Sequence, residues 1–331
     1  MMRAMVLKKQ RAQLILEEVP KPTPKEDELL IKVHTCGVCR TDLHVRDGDL
    51  AYPKLPLILG HEIVGTVEEM GKQVQGFHLG ERVGVPWLSG CCGVCEFCTN
   101  GQENLCEKAI YTGYQVNGGF AEYTVCKAPF AIALPSSLDD AHMAPLLCAG
   151  LIGYRAYKMA NPKKTLGIYG FGAAAHLITQ LAVFEGKEVY AFTQPGDDKK
   201  QAFAKKLGAA WAGDSTASPP TLLDAVIIFA PVGRLVPEAL KHLKKGGVCI
   251  CGGIYMSDIP SFPYKDLWEE KSIRSVANLT REDAHEFFAA ISKFPIQTSI
   301  RLYPLEEANQ ALDDLKAGKF EGAAVLKVND R

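Results

Sequence analysis

Eleven cysteines fall unevenly along the 331-residue chain, and four of them set out its clearest chemistry. Cys92, Cys95, Cys98 and Cys106 read C-x2-C-x2-C-x7-C within SGCCGVCEFCTNGQENLC. Short C-x2-C steps let successive thiolates converge on one ion, and Gly93 and Gly101 permit the tight turns between them. Four thiolates with no open position describe a closed structural zinc site. A redox C-x2-C pair or a zinc ribbon that binds nucleic acid would share part of this pattern. Glu96, Glu103 and Glu107 against Lys108 offer no basic face for phosphates, which favours a structural staple. Cys91 falls one residue too early for the rhythm and reads as a spectator. Elsewhere Cys39, His61 and Cys148 together would supply three donors and leave a fourth position open, the arrangement of a catalytic zinc. Their wide spacing alone does not join them.

A second constellation lies in the latter half. Gly170-Phe171-Gly172-Ala173-Ala174-Ala175 follows the apolar run Thr165–Tyr169 and opens a helix. This is G-x-G-x-x-A, with alanine where the helix packs on the strand. Gly170 would allow the turn, Gly172 the close approach of a pyrophosphate to the helix N-terminus, and Ala175 the packing. An NAD enzyme usually carries Asp or Glu at the end of the next strand. Here Thr193 stands there, and no carboxylate follows until Asp197. Loss of the acid removes repulsion against a 2′-phosphate, and Lys199 or Lys200 could contact one; equally, those lysines could be a solvated helix face. The balance favours NADP(H) over NAD(H).

These residues need elements to hold them. In the first 150 residues, 29–33, 63–67 and 82–85 read as strands separated by Gly- and Pro-rich turns, an irregular and mostly antiparallel β domain. From about Pro162 strands alternate with helices: 165–169, then helix 176–185; 188–192, then helix 198–207; 224–229, then helix 234–243; and 247–251. That alternation predicts βαβ units and a parallel sheet. A final helix over 304–316 and strand over 323–328 close the chain. The expected division is a catalytic domain over 1–150 with a metal lobe at 88–108, a dinucleotide domain over 151–281, and a returning segment over 282–331.

With 37 basic and 38 acidic residues the formal net charge is −1, so neither nucleic acid nor an anionic membrane is the expected partner. Hydrophobic residues at 47% rule out disorder as the main state. The first twenty residues hold no apolar core of the roughly 7–15 residues a secretory signal needs. No apolar run approaches the roughly 18 residues of a membrane-spanning helix. A reducing cytoplasm is the expected location, where clustered cysteines suggest metal chemistry.

Three motifs together resemble one family. Gly60-His61-Glu62-x2-Gly65-x5-Gly71-x2-Val74 resembles the zinc signature of the medium-chain, zinc-containing alcohol dehydrogenases. Cys39-Arg40-Thr41-Asp42-Leu43-His44 resembles their first-ligand loop, and the four-cysteine lobe their structural zinc insertion. The resemblance implies an α/β plus β fold: an irregular GroES-like β-barrel catalytic domain with a doubly wound Rossmann domain. It implies two zinc ions per chain, with Cys39, His61 and Cys148 on the catalytic one. Glu62 would lie behind that metal and replace its water transiently. Asp42 would orient the His61 ring, Thr41 would hydrogen-bond the substrate oxygen, and His44 would pass the proton on through the cofactor ribose. Arg40 would reach the pyrophosphate, and Val232, in Ala230-Pro231-Val232-Gly233, would lie under the nicotinamide. Trp87 takes the place of a pocket-lining aromatic, a reading no stronger than ordinary core packing. Gly322-Ala323 stands where the family often has Gly-Arg, an arginine that assists the pyrophosphate.

The resulting expectation is a zinc-dependent dehydrogenase moving a hydride between a primary or secondary alcohol, or its aldehyde or ketone, and NAD(P). A homo-oligomer, tetramer or dimer, would follow from the resemblance. Alternatives are a polyol dehydrogenase on the same scaffold, with a carboxylate in place of Cys148 on the metal, and a catalytically silent zinc- or nucleotide-binding sensor.

Overall fold

The computed structural model describes residues 1–330. Two compact units emerge, Met1–Cys148 with the chain from Asn278 on, and Ala149–Ala277.

The first unit is built around one long strand, β1 (Glu28–Val38), whose apolar residues are buried along nearly its whole length. It pairs antiparallel with three partners: Glu62–Met70 (β2), Tyr123–Lys127 and Ala323–Lys327. A strand so enclosed has no free edge, and its Leu-Leu-Ile-Lys-Val run reads as apolar on both faces for that reason. β2 continues the sheet to Arg82–Val85 (β3), then Ile132–Ala133. Ile300–Pro304 completes it beside Ala323–Lys327, the one parallel pair. A separate sheet joins Met2–Leu7 to Ile15–Val19 and Leu57–Ile58. The short helix α1 (Arg40–Asp47) leaves the end of β1 and stops at Gly48, left-handed at φ 88°.

The second unit is a six-stranded parallel sheet. Its strands are β4 (Thr165–Tyr169), β5 (Glu188–Thr193), β6 (Trp211–Asp214), β7 (Leu223–Ile228), β8 (Leu243–Cys251) and β9 (Ser272–Ser275), in the spatial order β6-β5-β4-β7-β8-β9. The order reverses between β4 and β7, which makes their C-terminal ends the switch point where such sheets bind ligands. Helices α2 (Ala173–Phe184), α3 (Asp198–Lys206) and α4 (Leu235–His242) follow β4, β5 and β7. The alternation expected from periodicity is thus present; β6, β9 and the helix Arg281–Ile291 had no reading in the sequence. The helix expected over 304–316 begins with a short 3₁₀ turn, Leu305–Glu307, before Ala308–Lys316. Among the described residues no helix is long and apolar enough to cross a membrane.

Candidate active site

The four-cysteine lobe closes on itself as its spacing requires. Ligand atoms of Cys92, Cys95, Cys98 and Cys106 all lie within 4.8 Å of one another. Cys95 and Cys98 sulfurs are 3.5 Å apart, those of Cys92 and Cys98 3.9 Å. Backbone N–H groups of Cys92 and Cys95 donate to the sulfurs of Cys106 and Cys92, each at 3.4 Å. Such bonds favour thiolate, and the backbone amides of Val94 and Cys95 bring the Cys92 thiol down to about 6. Burial, then Cys95, raises the Cys98 thiol in turn. Four sulfurs gathered at one point are the donor set of a tetrahedral divalent ion.

The second group joins residues far apart in sequence. Cys39 is the N-cap of α1, His61 immediately precedes β2, and Cys148 ends the first unit's leading segment. One ligand atom from each of Cys39, His61, Glu62 and Cys148 lies within 4.8 Å of the others, with the Cys39 and Cys148 sulfurs 3.5 Å apart. The Cys148 thiol thus stands with Cys39 and His61, the grouping expected from the resemblance, with the Glu62 carboxylate beside it. His61 is fully buried, yet neither ring nitrogen has a hydrogen-bond partner, and the same is true of Glu62 Oε2. Buried polar atoms are nearly always paired. A metal ion bound through one ring nitrogen and the carboxylate oxygen would give those two atoms a partner, and the residues fit one.

Asp42 ties this group together. Its carboxylate accepts from the backbone N–H of Cys39 at 2.8 Å and of Gly60 at 3.1 Å, so one side chain holds the α1 cap to the residue before His61. It also sits 3.3 Å from His61 Nδ1, without the alignment of a hydrogen bond. Burial works to lower the His61 ring, but Asp42 and the Cys39 thiolate raise it well above the ordinary imidazole value. The hydrogen bond from Cys148 holds Cys39 well below a normal thiol, and Cys148 is raised in turn. Burial, then Cys39, pushes the Glu62 carboxyl well up. Without a cation this cluster keeps protons that a metal would displace.

Around it, the Thr41 hydroxyl is 3.7 Å from the Cys39 sulfur and nearly buried. His44 Nδ1 pairs with Asp49 Oδ2 at 2.8 Å. Arg40 is exposed at the first position of α1. Trp87 sets its edge against the His61 ring at 4.8 Å and stacks on Tyr111 and Tyr114 at 5.1 and 5.9 Å. Both tyrosines lie in the stretch 111–115, which the sequence places among the loops that shape the pocket beside Trp87, without pairing either ring with it.

In the second unit the glycine loop leaves β4 at the switch point. Gly170 is left-handed at φ 86°, and a side chain there would meet the Ala230 backbone nitrogen at 2.7 Å. Gly172 is the N-cap of α2, and a Cβ on it would meet nothing within 4 Å. Open space over uncapped helix amides is a cradle for phosphate, and the residues fit a dinucleotide. Ala175 is fully buried. Val232, half-buried, follows β7, its N–H donating to Ala230 at 2.8 Å. Thr193 ends β5 with its hydroxyl accepting from Gln201 at 3.2 Å. Asp214, the register partner of Thr193 on β6, accepts from Gln201 and from the Gly196 N–H. Lys200 is tied to Asp197 at 2.7 Å, which leaves the exposed Lys199 as the cation facing solvent there.

A family model for the alcohol dehydrogenase GroES-like domain matches residues 25–136. The protein named "Probable alcohol dehydrogenase AdhA" of Mycobacterium tuberculosis (strain CDC 1551 / Oshkosh) is 46% identical over 322 residues, 95% of this chain and 92% of that protein. The chain belongs to the medium-chain, zinc-containing alcohol dehydrogenase family. An alcohol dehydrogenase of Geobacillus stearothermophilus is 36% identical over 99% of this chain and 100% of its own length. The crystal structure of the alcohol dehydrogenase from Aeropyrum pernix superposes with a TM-score of 0.87 at 28% identity, covering 98% of this chain and 99% of that one. The GroES-like and Rossmann units, and the oxidoreductase class, are those of this alcohol dehydrogenase family.

Proposed function

We propose that the protein oxidises primary or secondary alcohols, or reduces the matching aldehydes and ketones, with zinc at two sites and NADP(H) as the hydride carrier. One observation carries this reading: Cys39, His61 and Cys148 converge with a buried imidazole whose two nitrogens have no partner. These three would hold the catalytic zinc, and Cys92, Cys95, Cys98 and Cys106 the structural one. Bound there, zinc supplies Lewis acidity to the alcohol oxygen, while the nicotinamide accepts the hydride.

The chain's own residues manage the proton. The Thr41 hydroxyl both donates and accepts, so it takes the substrate's hydroxyl proton while giving up its own. His44 donates from Nδ1 to Asp49, a bond that leaves Nε2 as the basic nitrogen and fixes the tautomer. The substrate carbon loses a hydride and its oxygen a proton, which balances the product carbonyl and the reduced cofactor. Asp42 keeps Cys39 and His61 at a set separation, a support that metal ligands usually need. Gly170, Gly172 and Ala175 form the turn, opening and packing of the pyrophosphate cradle, with Val232 toward the nicotinamide. Trp87 lines the substrate side of His61.

Lys199 supports NADP(H): it is exposed in the first turn of α3 after Thr193, while its neighbour Lys200 is paired with Asp197, so Lys199 is an ammonium able to meet a 2′-phosphate. A homo-oligomer is supported by Ile254, Tyr255, Ile259, Tyr264 and Trp268, all exposed. A cytoplasmic site fits the reduced thiols that both metal groups require.

Turnover and metal content test the function together. Wild-type protein should hold two zinc ions per chain and reduce NADP⁺ in the presence of alcohol. Cys39→Ala or His61→Ala should abolish turnover and lose one zinc; retained activity would refute the mechanism. Lys199→Ala should lower kcat/KM for NADPH and spare NADH, and a wild-type preference for NADH would remove the NADP(H) reading alone.

A further inference from the structure

Gly37 and Glu62 stand directly opposite each other in the antiparallel ladder of β1 and β2. Opposed residues ordinarily keep their Cβ atoms about 4.5–5.5 Å apart and their side chains side by side. Here a Cβ on Gly37 would lie 1.8 Å from Glu62 Oε2, 2.7 Å from its Cδ and 2.8 Å from its Cβ. The Glu62 side chain is therefore folded across the strand, through the space that a side chain at position 37 would fill. Gly37 is not among the residues with positive φ, so its backbone does not call for glycine. The room does.

That room decides where the carboxylate goes. Folded over Gly37, Glu62 is 3% exposed, and its oxygen lies within 4.8 Å of the donor atoms of Cys39, His61 and Cys148. Its Oε2 has no hydrogen-bond partner, a costly state for a buried carboxylate unless a cation answers it. We propose that Gly37 is a positioning residue for the metal group: by having no side chain it admits the Glu62 carboxylate as a fourth donor beside the two thiolates and the imidazole. A methyl group at position 37 expels that carboxylate and leaves three donors. The proposal rests on the reading that Cys39, His61 and Cys148 hold the catalytic metal.

Cobalt(II) in place of zinc provides a readout independent of turnover, because its visible absorption depends on the number and kind of its ligands. Wild type, Gly37→Ala, Glu62→Gly and the double variant are loaded and compared. The expected result is that Gly37→Ala takes on the catalytic-site spectrum of Glu62→Gly, and that the double variant shows no further change. The kcat/KM should fall by about 10–100-fold in each single variant, as for other residues that orient metal ligands, and no further in the double. A wild-type spectrum in Gly37→Ala overturns the proposal alone. Fewer than two metals per wild-type chain overturns the metal reading and the proposal with it. If Gly37→Ala does not fold, the double variant decides, since it removes every Glu62 side-chain atom from the Cβ path. Recovery of folded, two-metal protein supports the proposal, and failure to recover overturns it.

Discussion

Lowering the pH should weaken the dinucleotide unit through one histidine. His176 is the fourth residue of α2, on the first turn after the glycine loop, and is fully buried. Its ring lies 6.1 Å from the Phe203 ring, and Phe203 in turn meets Phe171 of the glycine loop edge-on at 6.0 Å. Among the described residues no carboxylate shifts it. Burial lowers its pKa from 6.5 to about 4, with the helix carbonyls of Ala173 and Gly172 restoring only part. The folded value lies below the unfolded one, so the unfolded chain binds more protons between the two. Stability is therefore intact above the unfolded value and lost as pH falls toward 4. The full separation is worth about 3 kcal/mol at 1.36 kcal/mol per unit, and roughly 2 kcal/mol has gone by about pH 5.

His176→Leu removes the proton site and keeps an apolar side chain in the same space. Any packing change it brings is independent of pH, so the difference between the two proteins isolates the titration. Thermal midpoints of cofactor-free wild type and variant, taken at about pH 7 and about pH 5, supply that difference. The wild type should lose ground to the variant by roughly 5–10 °C on acidification. A midpoint difference that stays constant across this range would show that the ring finds a partner or solvent when charged, and the burial reasoning would fail.

Three further outcomes follow from single contacts. Cys95→Ser should remove one metal per chain while sparing the Cys39 group, as metal analysis would show, and should lower the thermal midpoint, because a structural zinc contributes directly to folding. Gly170→Ala forces a left-handed backbone on a side chain and drives it against Ala230; a loss of at least about 1–2 kcal/mol and weaker dinucleotide binding by fluorescence titration are expected. Glu103, 4% exposed in the metal lobe, accepts from both the backbone N–H of Arg281 at 2.9 Å and its guanidinium at 3.1 Å. Despite burial, these bonds lower its pKa, so its contribution is full above the ordinary carboxyl value and fades as pH falls. Glu103→Gln at neutral pH should cost about 1–3 kcal/mol with both metals retained, and an unchanged denaturation midpoint would remove that anchor.

Local motifs were legible in the sequence because their geometry is local. C-x2-C-x2-C brings sulfurs together whatever surrounds it, and G-x-G-x-x-A between an apolar strand and a helix needs only its own turn. Cys39, His61 and Cys148 could be joined only through resemblance, since three separate elements deliver them. Trp87 was ambiguous for a similar reason. Its ring is both stacked on two tyrosines and set against His61, and no pattern in the chain separates those roles. The strand Trp211–Asp214 escaped notice because a short run with glycine and aspartate carries no alternation, although it supplies the Asp214 that shares Gln201 with Thr193.

The deepest gap is one of register. Along β1 and β2 the pairing begins Leu29 to Met70 and Leu30 to Glu69, slips by one residue to Ile31–Val67 and Val33–Gly65, then slips back at His34 so that Thr35 meets Val64 and Gly37 meets Glu62. Had the middle register continued, Gly37 would face His61, and Glu62 would turn to the other side of the sheet. The extra residue is His34, whose ring is buried, with Nδ1 on Asp140 at 2.7 Å and Nε2 on Thr66 at 3.2 Å. Arg82 binds the other oxygen of Asp140 at 2.6 Å. This polar cluster stands far from any donor atom in sequence logic, yet it holds the bulge that decides which residue shares space with Gly37. A bulge inserts one residue and re-aims the side chains beyond it, so the donor set depends on His34 and Asp140 as well as on the residues that compose it.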